Sequence, residues 1–274
     1  MRKPKETGRV AWHVYARGPR RLCLFYEEED YRMFLGLLKK ALDATGVTMW
    51  AYVLMKNHYH FILSATSEQL TDLMRWVNHS YSLYHNRKHG YVGTAFEGPF
   101  QSHVQPTLFL LLFRIAYVFL NPVEAHAADR PEDYRWSSYR AFMALPGAPI
   151  LLDPYPILQL LAGTPGEARR GFLGILDREA RRPKRPVADK LTWAQLAQDQ
   201  FEWLLEEAIR RQALLGGEDP VLVAMYWGRQ SGIPPRAMRG ALPTGSPQGI
   251  TQAIRKFARR IEADPERARH LSAP

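Results

Sequence analysis

Two histidines stand two residues apart, His58 and His60, in the segment Ala51-Tyr-Val-Leu-Met-Lys-Asn-His58-Tyr59-His60-Phe-Ile-Leu63. Side chains of an extended backbone repeat every second residue, so both imidazoles project from one face of a strand. A second polar group breaks an otherwise apolar stretch: in Leu108-Phe-Leu-Leu-Leu-Phe-Arg114-Ile-Ala-Tyr117-Val-Phe-Leu-Asn121 the polar residues are Arg114, Tyr117 and Asn121. Offsets of three and four are the neighbour spacing of a helix, which aligns a guanidinium, a phenol and an amide along one face. Two neutral imidazoles joined by the amide oxygen of Asn121 would supply three ligands on one side of a divalent cation and leave the other side open to a phosphate. A metal neutralises the non-bridging oxygens as a Lewis acid. Tyr117 is the nucleophile of choice, because a phenol with a pKa near ~10 becomes a competent attacker once a cation or Arg114 lowers that value. The product is a phosphotyrosine ester that retains the free energy of the cut phosphodiester, so a free 3′-OH can later attack it and rejoin the strand. Such chemistry is transesterification.

The elements that must hold these groups follow from hydrophobic period and punctuation. Val10 to Ala16 reads as a strand closed by the Gly18-Pro19 turn, and Asp30 to Ala44 carries apolar residues at helical spacing. Thr48 to Met55 and His58 to Ser64 read as an antiparallel pair joined by Lys56-Asn57. Ser67 to His89 is a long helix with a cap at its start and Gly90 as its stop. Ala95 to Val104 is predicted as a strand, and Pro106-Thr107 opens the helix of Tyr117, which Pro122 is expected to close. This β-α-β-β-α-β-α order favours an α+β fold with an antiparallel sheet over a doubly wound parallel one. His79, His85 and His89 on the long helix are expected to face solvent or line a groove, and Cys23 in its apolar run is expected in the core.

His58-Tyr59-His60 after Met55-Lys-Asn57, then Tyr117 within Arg114-Ile-Ala-Tyr-Val-Phe-Leu-Asn-Pro-Val123, then Trp136-Ser-Ser-Tyr139, resembles the single-tyrosine HUH transposases and, within them, the REP-associated tyrosine transposases. The resemblance spans roughly residues 8–145 and rests on three motifs in order. It implies a ferredoxin-like antiparallel sheet with flanking helices that cuts and rejoins single-stranded DNA bearing hairpin repeats, with Mg²⁺ or Mn²⁺. It also implies His58 and His60 as metal ligands, Asn121 as the residue completing the metal site, and Tyr117 as the former of a 5′-phosphotyrosyl link; Arg114 is expected to offset transition-state charge. Three positions depart from the family's usual residues: Tyr59 is usually aliphatic, Lys56 is often proline, and Pro99 is commonly arginine.

Composition and charge fit a nucleic-acid partner. The chain of 274 residues carries a formal charge of +10, divided evenly as +5 over residues 1–150 and +5 over 151–274. A basic excess spread over both halves favours an extended polyanion through phosphate neutralisation and counterion release. Lys3, Lys5, Arg9, Arg17, Arg20 and Arg21 crowd the first strand and its turn among the rings of Trp12 and Tyr15, charge for phosphates beside rings for stacked bases. Lys56 adds a cation beside the histidines. The proline-dense stretch Pro146–Pro156 marks a change in character. Residues 1–145 read as the catalytic domain, 146–190 as a linker with a basic helix over Phe172–Arg182, and 191–274 as a mostly helical domain. Helices are expected there over Thr192–Leu215, Asp219–Gly232, Pro234–Ala241 and Gln248–Ala263.

The last of these domains loosely resembles the duplex-binding domain of the bacterial replication initiator DnaA, with a helix-turn-helix arrangement in which Arg255, Lys256, Arg259 and Arg260 meet duplex DNA. One cysteine excludes an internal disulfide, and Arg114 cuts short the longest apolar run. A soluble cytoplasmic protein is therefore expected, with no membrane partner, acting as a monomer or homodimer. Two other classes fit the same residues: a non-catalytic DNA-binding regulator on this scaffold, and a metal-dependent hydrolase that leaves no covalent adduct.

Overall fold

The computed structural model describes residues 8–105, 108–146, 152, 154–159, 164–181, 201, 204–205, 208–209, 215, 218–230, 233, 235–242, 246–263 and 271. The chain divides into two compact units, Met1–Arg182 and Pro183–Pro274. In the first, β1 (Val10–Arg17), α1 (Glu28–Thr45), β2 (Thr48–Met55), β3 (His58–Ala65), α2 (Ser67–His89), β4 (Gln101–Val104) and α3 (Leu108–Glu124) follow in sequence. The strands pair antiparallel in the order β2-β3-β1-β4, the expected ferredoxin-like α+β arrangement.

Alternation along the strands sorts residues between two layers. Trp12, Val14 and Ala16 of β1 and Tyr59, Phe61, Leu63 and Ala65 of β3 face one side, against Phe34 and Leu38 of α1 and Leu73, Met74 and Val77 of α2. Ala51, Val53 and Met55 of β2 and Ile62 of β3 face the other, under Leu111, Leu112, Ile115 and Phe119 of α3. The pairing of β2 shifts between Met49 and Ala51. This single extra residue lets Met49 and Tyr52 share one face despite their odd spacing.

Helix ends carry the signals that sequence anticipates. Thr66 and Gln69 form a reciprocal capping box at the start of α2, and Gly90 ends it in the left-handed conformation at φ 72°. At the start of α1, Asp30 is buried and its carboxylate accepts the backbone N–H groups of Tyr26 (2.8 Å) and Glu27 (3.2 Å) and the hydroxyl of Tyr84 (3.0 Å). Lys88 (3.2 Å) and His89 (3.1 Å) lie against the same group.

Two boundaries differ from the sequence expectation. The strand predicted from Ala95 begins only at Gln101, because Gly98 is left-handed (φ 74°) and Pro99 has no N–H to give to a ladder. Ala95 and Phe96 are buried in the α2 layer instead, the Ala95 N–H donating to Ser82 Oγ at 3.1 Å. Pro122 does not close α3, which runs through it to Glu124. In the last turn a proline forfeits one hydrogen bond only, and the Ala125 and Ala127 N–H groups donate to the Asn121 and Pro122 carbonyls beyond it.

The segment Trp136-Ser-Ser-Tyr139 packs back on the sheet. Ser137 bridges Val53, the Leu54 N–H donates to the Trp136 carbonyl (2.9 Å), and Ser138 Oγ accepts the Tyr52 N–H (2.8 Å). Beyond it α4 (Tyr139–Phe142), α5 (Tyr155–Gln159) and α6 (Pro165–Ala180) extend the core around Phe119, where the tilted rings of Phe142 and Phe172 lie 4.7 Å apart.

In the second unit α7 (Pro220–Gln230), α8 (Pro235–Ala241) and α9 (Pro247–Glu262) surround Phe201, Trp227, Met238 and Phe257. Ile250, Ile254, Phe257 and Ile261 repeat at helical spacing and bury one face of α9. Most of the helix predicted over Thr192–Leu215 lies outside the described residues. Among the described residues no helix is long and apolar enough to cross a membrane.

Candidate functional site

The α3 side of the sheet is apolar over β2 and polar over β1, β3 and β4. Its polar half takes His58 and His60 from the start of β3. The intervening Tyr59 turns into the opposite core, where its hydroxyl donates to Asn78 Oδ1 at 2.8 Å. That satisfies the polar tip of a side chain that stands where the family usually has an aliphatic one. The Lys56-Asn57 turn is held by three backbone bonds: the N–H groups of Leu24 (2.8 Å) and Phe25 (3.1 Å) donate to the Lys56 carbonyl, and that of Gly18 to the Asn57 carbonyl (2.9 Å).

The turn also fixes the chemistry of His58. Asn57 Nδ2 donates to the Arg21 carbonyl at 3.3 Å, which leaves its Oδ1 facing His58 Nδ1 at 2.7 Å. An amide oxygen only accepts, so Nδ1 carries the proton. On α3, Asn121 Nδ2 donates to the Tyr117 carbonyl at 3.1 Å, which leaves its Oδ1 facing His58 Nε2 at 3.4 Å. In a neutral His58 both facing atoms are acceptors. Two electron pairs aimed at one point are relieved by a cation between them, either a proton or a metal ion. Among the described residues no three His, Cys, Asp or Glu side chains converge as a metal-ligand group. A metal here would take two imidazoles and the amide oxygen of Asn121, and that donor set fits a divalent cation.

His60 is 4% exposed, and its ring meets that of His58 edge-on at 5.1 Å. Burial lowers its pKa well below the usual imidazole value, and the charges of His58, Arg114 and Arg17 add to the effect. The ring is therefore neutral, as a metal ligand must be. Tyr117 is half-buried with its ring edge-on to His60, 5.6 Å between centroids and 81° between planes. The Arg114 guanidinium carbon lies 5.3 Å from the Tyr117 ring centroid. The structure thus brings Tyr117, Arg114, Asn121, His58 and His60 together, with the phenol at the site rather than sealed in the core.

Two residues of this cluster, His13 and His103, escape the sequence analysis. His13 of β1 is 4% exposed with Nε2 at 2.9 Å from His60 Nδ1. Its pKa is lowered well below the usual value by burial, then by Arg114, His60 and His103. His103 of β4 is the strand partner of His13, and Tyr15 stacks on His103 at 6.0 Å and 17°. A signal existed: His13 has the opposite parity to Trp12 and Val14, so the alternation that buries those two turns His13 onto the face of His60.

The residues expected to grip DNA divide. Lys3 and Lys5 lie outside the described residues. Arg17 is half-buried opposite His58 across the strand pair, while Arg20, Arg21 and Lys56 are exposed around the same end of the sheet. Trp12 is a correction, since its ring is buried in the α1/α2 layer and its Nε1–H donates to the Ala65 carbonyl at 2.9 Å. No base can stack on it. Arg9 is exposed at the far end of β1, where its guanidinium donates to the Gly46 and Ser64 carbonyls and to Thr48 Oγ1. Arg255, Lys256, Arg259 and Arg260 line the exposed face of α9, with Arg260 paired to Glu218.

Two of the α2 histidines also differ from expectation. His79 is exposed, but His85 is buried with Tyr91 stacked on it at 5.4 Å, and His89 is half-buried against Asp30. Cys23 is half-buried rather than fully in the core.

No protein-family profile matches this chain, and no curated protein is similar to it. Solved structures are similar in part. One is a REP-associated tyrosine transposase bound to a REP hairpin, at TM-score 0.43 and 18% identity, covering 56% of this chain and 90% of that one. Another is a candidate transposase from Deinococcus radiodurans R1, at TM-score 0.30 and 14% identity, covering 38% of this chain and 85% of that one.

Proposed function

We propose that this protein is a transposase of the single-tyrosine HUH type: a metal-dependent endonuclease and transesterase that nicks and rejoins single-stranded DNA at hairpin-containing repeats through a 5′-phosphotyrosine. One juxtaposition carries this reading. Tyr117 lies against His60 at 5.6 Å, while Asn121, one helical turn further on, reaches His58 at 3.4 Å. Nucleophile and candidate ligands are therefore presented to one place by α3 and β3.

His58, His60 and Asn121 would hold Mg²⁺ or Mn²⁺. When bound, such an ion supplies Lewis-acid neutralisation of the phosphate's non-bridging oxygens. The phenolic oxygen of Tyr117 forms the new bond to phosphorus and the bond from phosphorus to the 3′ oxygen breaks. The proton lost by the phenol is balanced by one gained at the departing 3′-OH. Arg114, beside the phenol, favours its ionised form and offsets charge on the phosphoryl group. Rejoining is the same exchange in reverse, with a 3′-OH as attacker, and needs no nucleotide cofactor.

Arg17, Arg20, Arg21 and Lys56, grouped at the end of the sheet that carries His58, offer phosphate contacts for the strand entering the site. The exposed cations Arg255, Lys256 and Arg259 of α9 suit the backbone of duplex DNA beside the hairpin. Incubation with a labelled hairpin oligonucleotide and Mn²⁺ tests the reading. A denaturant-resistant protein–DNA adduct is expected, absent in Tyr117→Phe. Cleavage without an adduct that survives Tyr117→Phe would favour hydrolysis, and tight binding without cleavage would favour a regulator.

A further inference from the structure

We propose that His13 is a positioning residue: it accepts the Nδ1–H of His60 and so holds that ring in the tautomer whose Nε2 is free to bind the cation. This rests on the reading of His58, His60 and Asn121 as a divalent-metal site.

The geometry has three parts. His13 Nε2 and His60 Nδ1 are 2.9 Å apart, and both rings are 4% exposed, so each is the other's neighbour in place of water. A contact between two imidazole nitrogens has one proton, and its direction decides what the other end of each neutral ring can do. If His13 donated, His60 would carry its own proton on Nε2 and have no electron pair there for a metal. If His60 donates, Nε2 is bare.

The third part is a parallel within the site. His58 has its Nδ1 tied by Asn57 Oδ1 at 2.7 Å, an acceptor that in the neutral ring leaves Nε2 as the nitrogen without a proton. His13 would do for His60 what Asn57 does for His58, so that both rings turn the same nitrogen toward one ion. Metal-bound histidines commonly require such a partner to fix tautomer and orientation. Packing alone does not explain the residue: across the strands His13 meets Ile62 of β3 and His103 of β4, with the apolar Ala51 and Val53 beyond on β2. An imidazole buried among them costs desolvation that an aliphatic residue would avoid.

The deciding measurement on the wild-type chain is the tautomer of His60, read from long-range ¹H–¹⁵N imidazole correlations in metal-free protein and assigned by its absence in His60→Gln. An Nδ1–H pattern is expected; an Nε2–H pattern overturns the proposal. Mn²⁺ binding, followed by the electron paramagnetic resonance of the free ion, gives the second readout. His13→Leu keeps volume and removes the acceptor, and should weaken Mn²⁺ binding by about 10- to 100-fold with the thermal unfolding transition preserved. His13→Gln, whose amide oxygen can accept the same hydrogen bond, should restore most of the affinity. Unchanged affinity in a folded His13→Leu chain defeats the assignment, and if that variant does not fold the wild-type tautomer decides alone. A wild-type chain that binds no Mn²⁺ at all instead defeats the metal site and, with it, the purpose given to His13.

Discussion

The two faces of one sheet make opposite use of the same strands. Every second residue of β3 turns Tyr59, Phe61 and Leu63 into the layer under α1 and α2, all buried. On the other parity, His58 and His60 stand under α3 with the imidazole of His13 and the phenol of Tyr117. The first face gains free energy by removing apolar area from water. The second gives part of that gain up to keep polar groups at fixed distances in a site where water is scarce. Stability and chemistry are thus separated by a single step along the chain, and substitutions at adjacent positions should separate them too.

The largest expected contrast is between Phe61 and His58. Phe61→Ala removes a fully buried ring and should cost about 3–5 kcal/mol in urea unfolding. His58→Ala, half-buried at the strand's start, should change stability by less than about 1 kcal/mol while abolishing Mn²⁺ binding. Equal losses of stability at the two positions would erase the division between the faces.

A smaller effect tests whether polar groups on the α1/α2 side serve stability instead. Burial alone pushes the Asp30 carboxyl up, but the N–H groups of Tyr26 and Glu27, His89 and the Tyr84 hydroxyl outweigh it and bring the pKa down to about 2. A folded pKa below the unfolded value of 3.8 means that Asp30 stabilises the fold above about pH 4 and that this contribution is lost as pH falls through about 2. The contribution is worth about 2 kcal/mol. Asp30→Asn should therefore be less stable at neutral pH and flatter in its stability profile between pH 4 and 2. A profile parallel to that of the wild type would show that Asp30 is not the group responsible. The smallest effect concerns Tyr59→Phe, which deletes only the bond to Asn78 and should cost about 1 kcal/mol without touching Mn²⁺ affinity. A change in metal binding there would mean that the faces are coupled.

The reach of the sequence follows the same division. Short-range periodicity located His58 and His60 on one strand face and Arg114, Tyr117 and Asn121 on one helix face, because both patterns depend only on nearest neighbours along the chain. Periodicity alone puts Trp12 and His13 on opposite sides of β1 without telling which side becomes core. Only the pairing of β1 with β3 and β4 decides that. For the same reason Arg9, a cation in the sequence, becomes a clamp on the Gly46 and Ser64 carbonyls once β2 and β3 end beside it. Local rules also missed one proline effect and overstated another. Pro99 delays β4 together with Gly98 as such residues should, whereas Pro122 falls where α3 is already ending and interrupts nothing.

The stitch between Trp136-Ser-Ser and β2 has a consequence for assembly. Among the described residues β2 and β4 are the two margins of the sheet, and a sheet margin can invite a strand from another molecule. Residues 136–138 occupy the β2 margin with the Ser137 bridge and the Leu54 N–H bond, so that side is closed to recruitment. The four-residue β4 offers the other margin, and an incoming strand would register beside His103, at the threshold of the histidine cluster. Any lateral growth of this sheet would therefore be felt first by the site and last by the core.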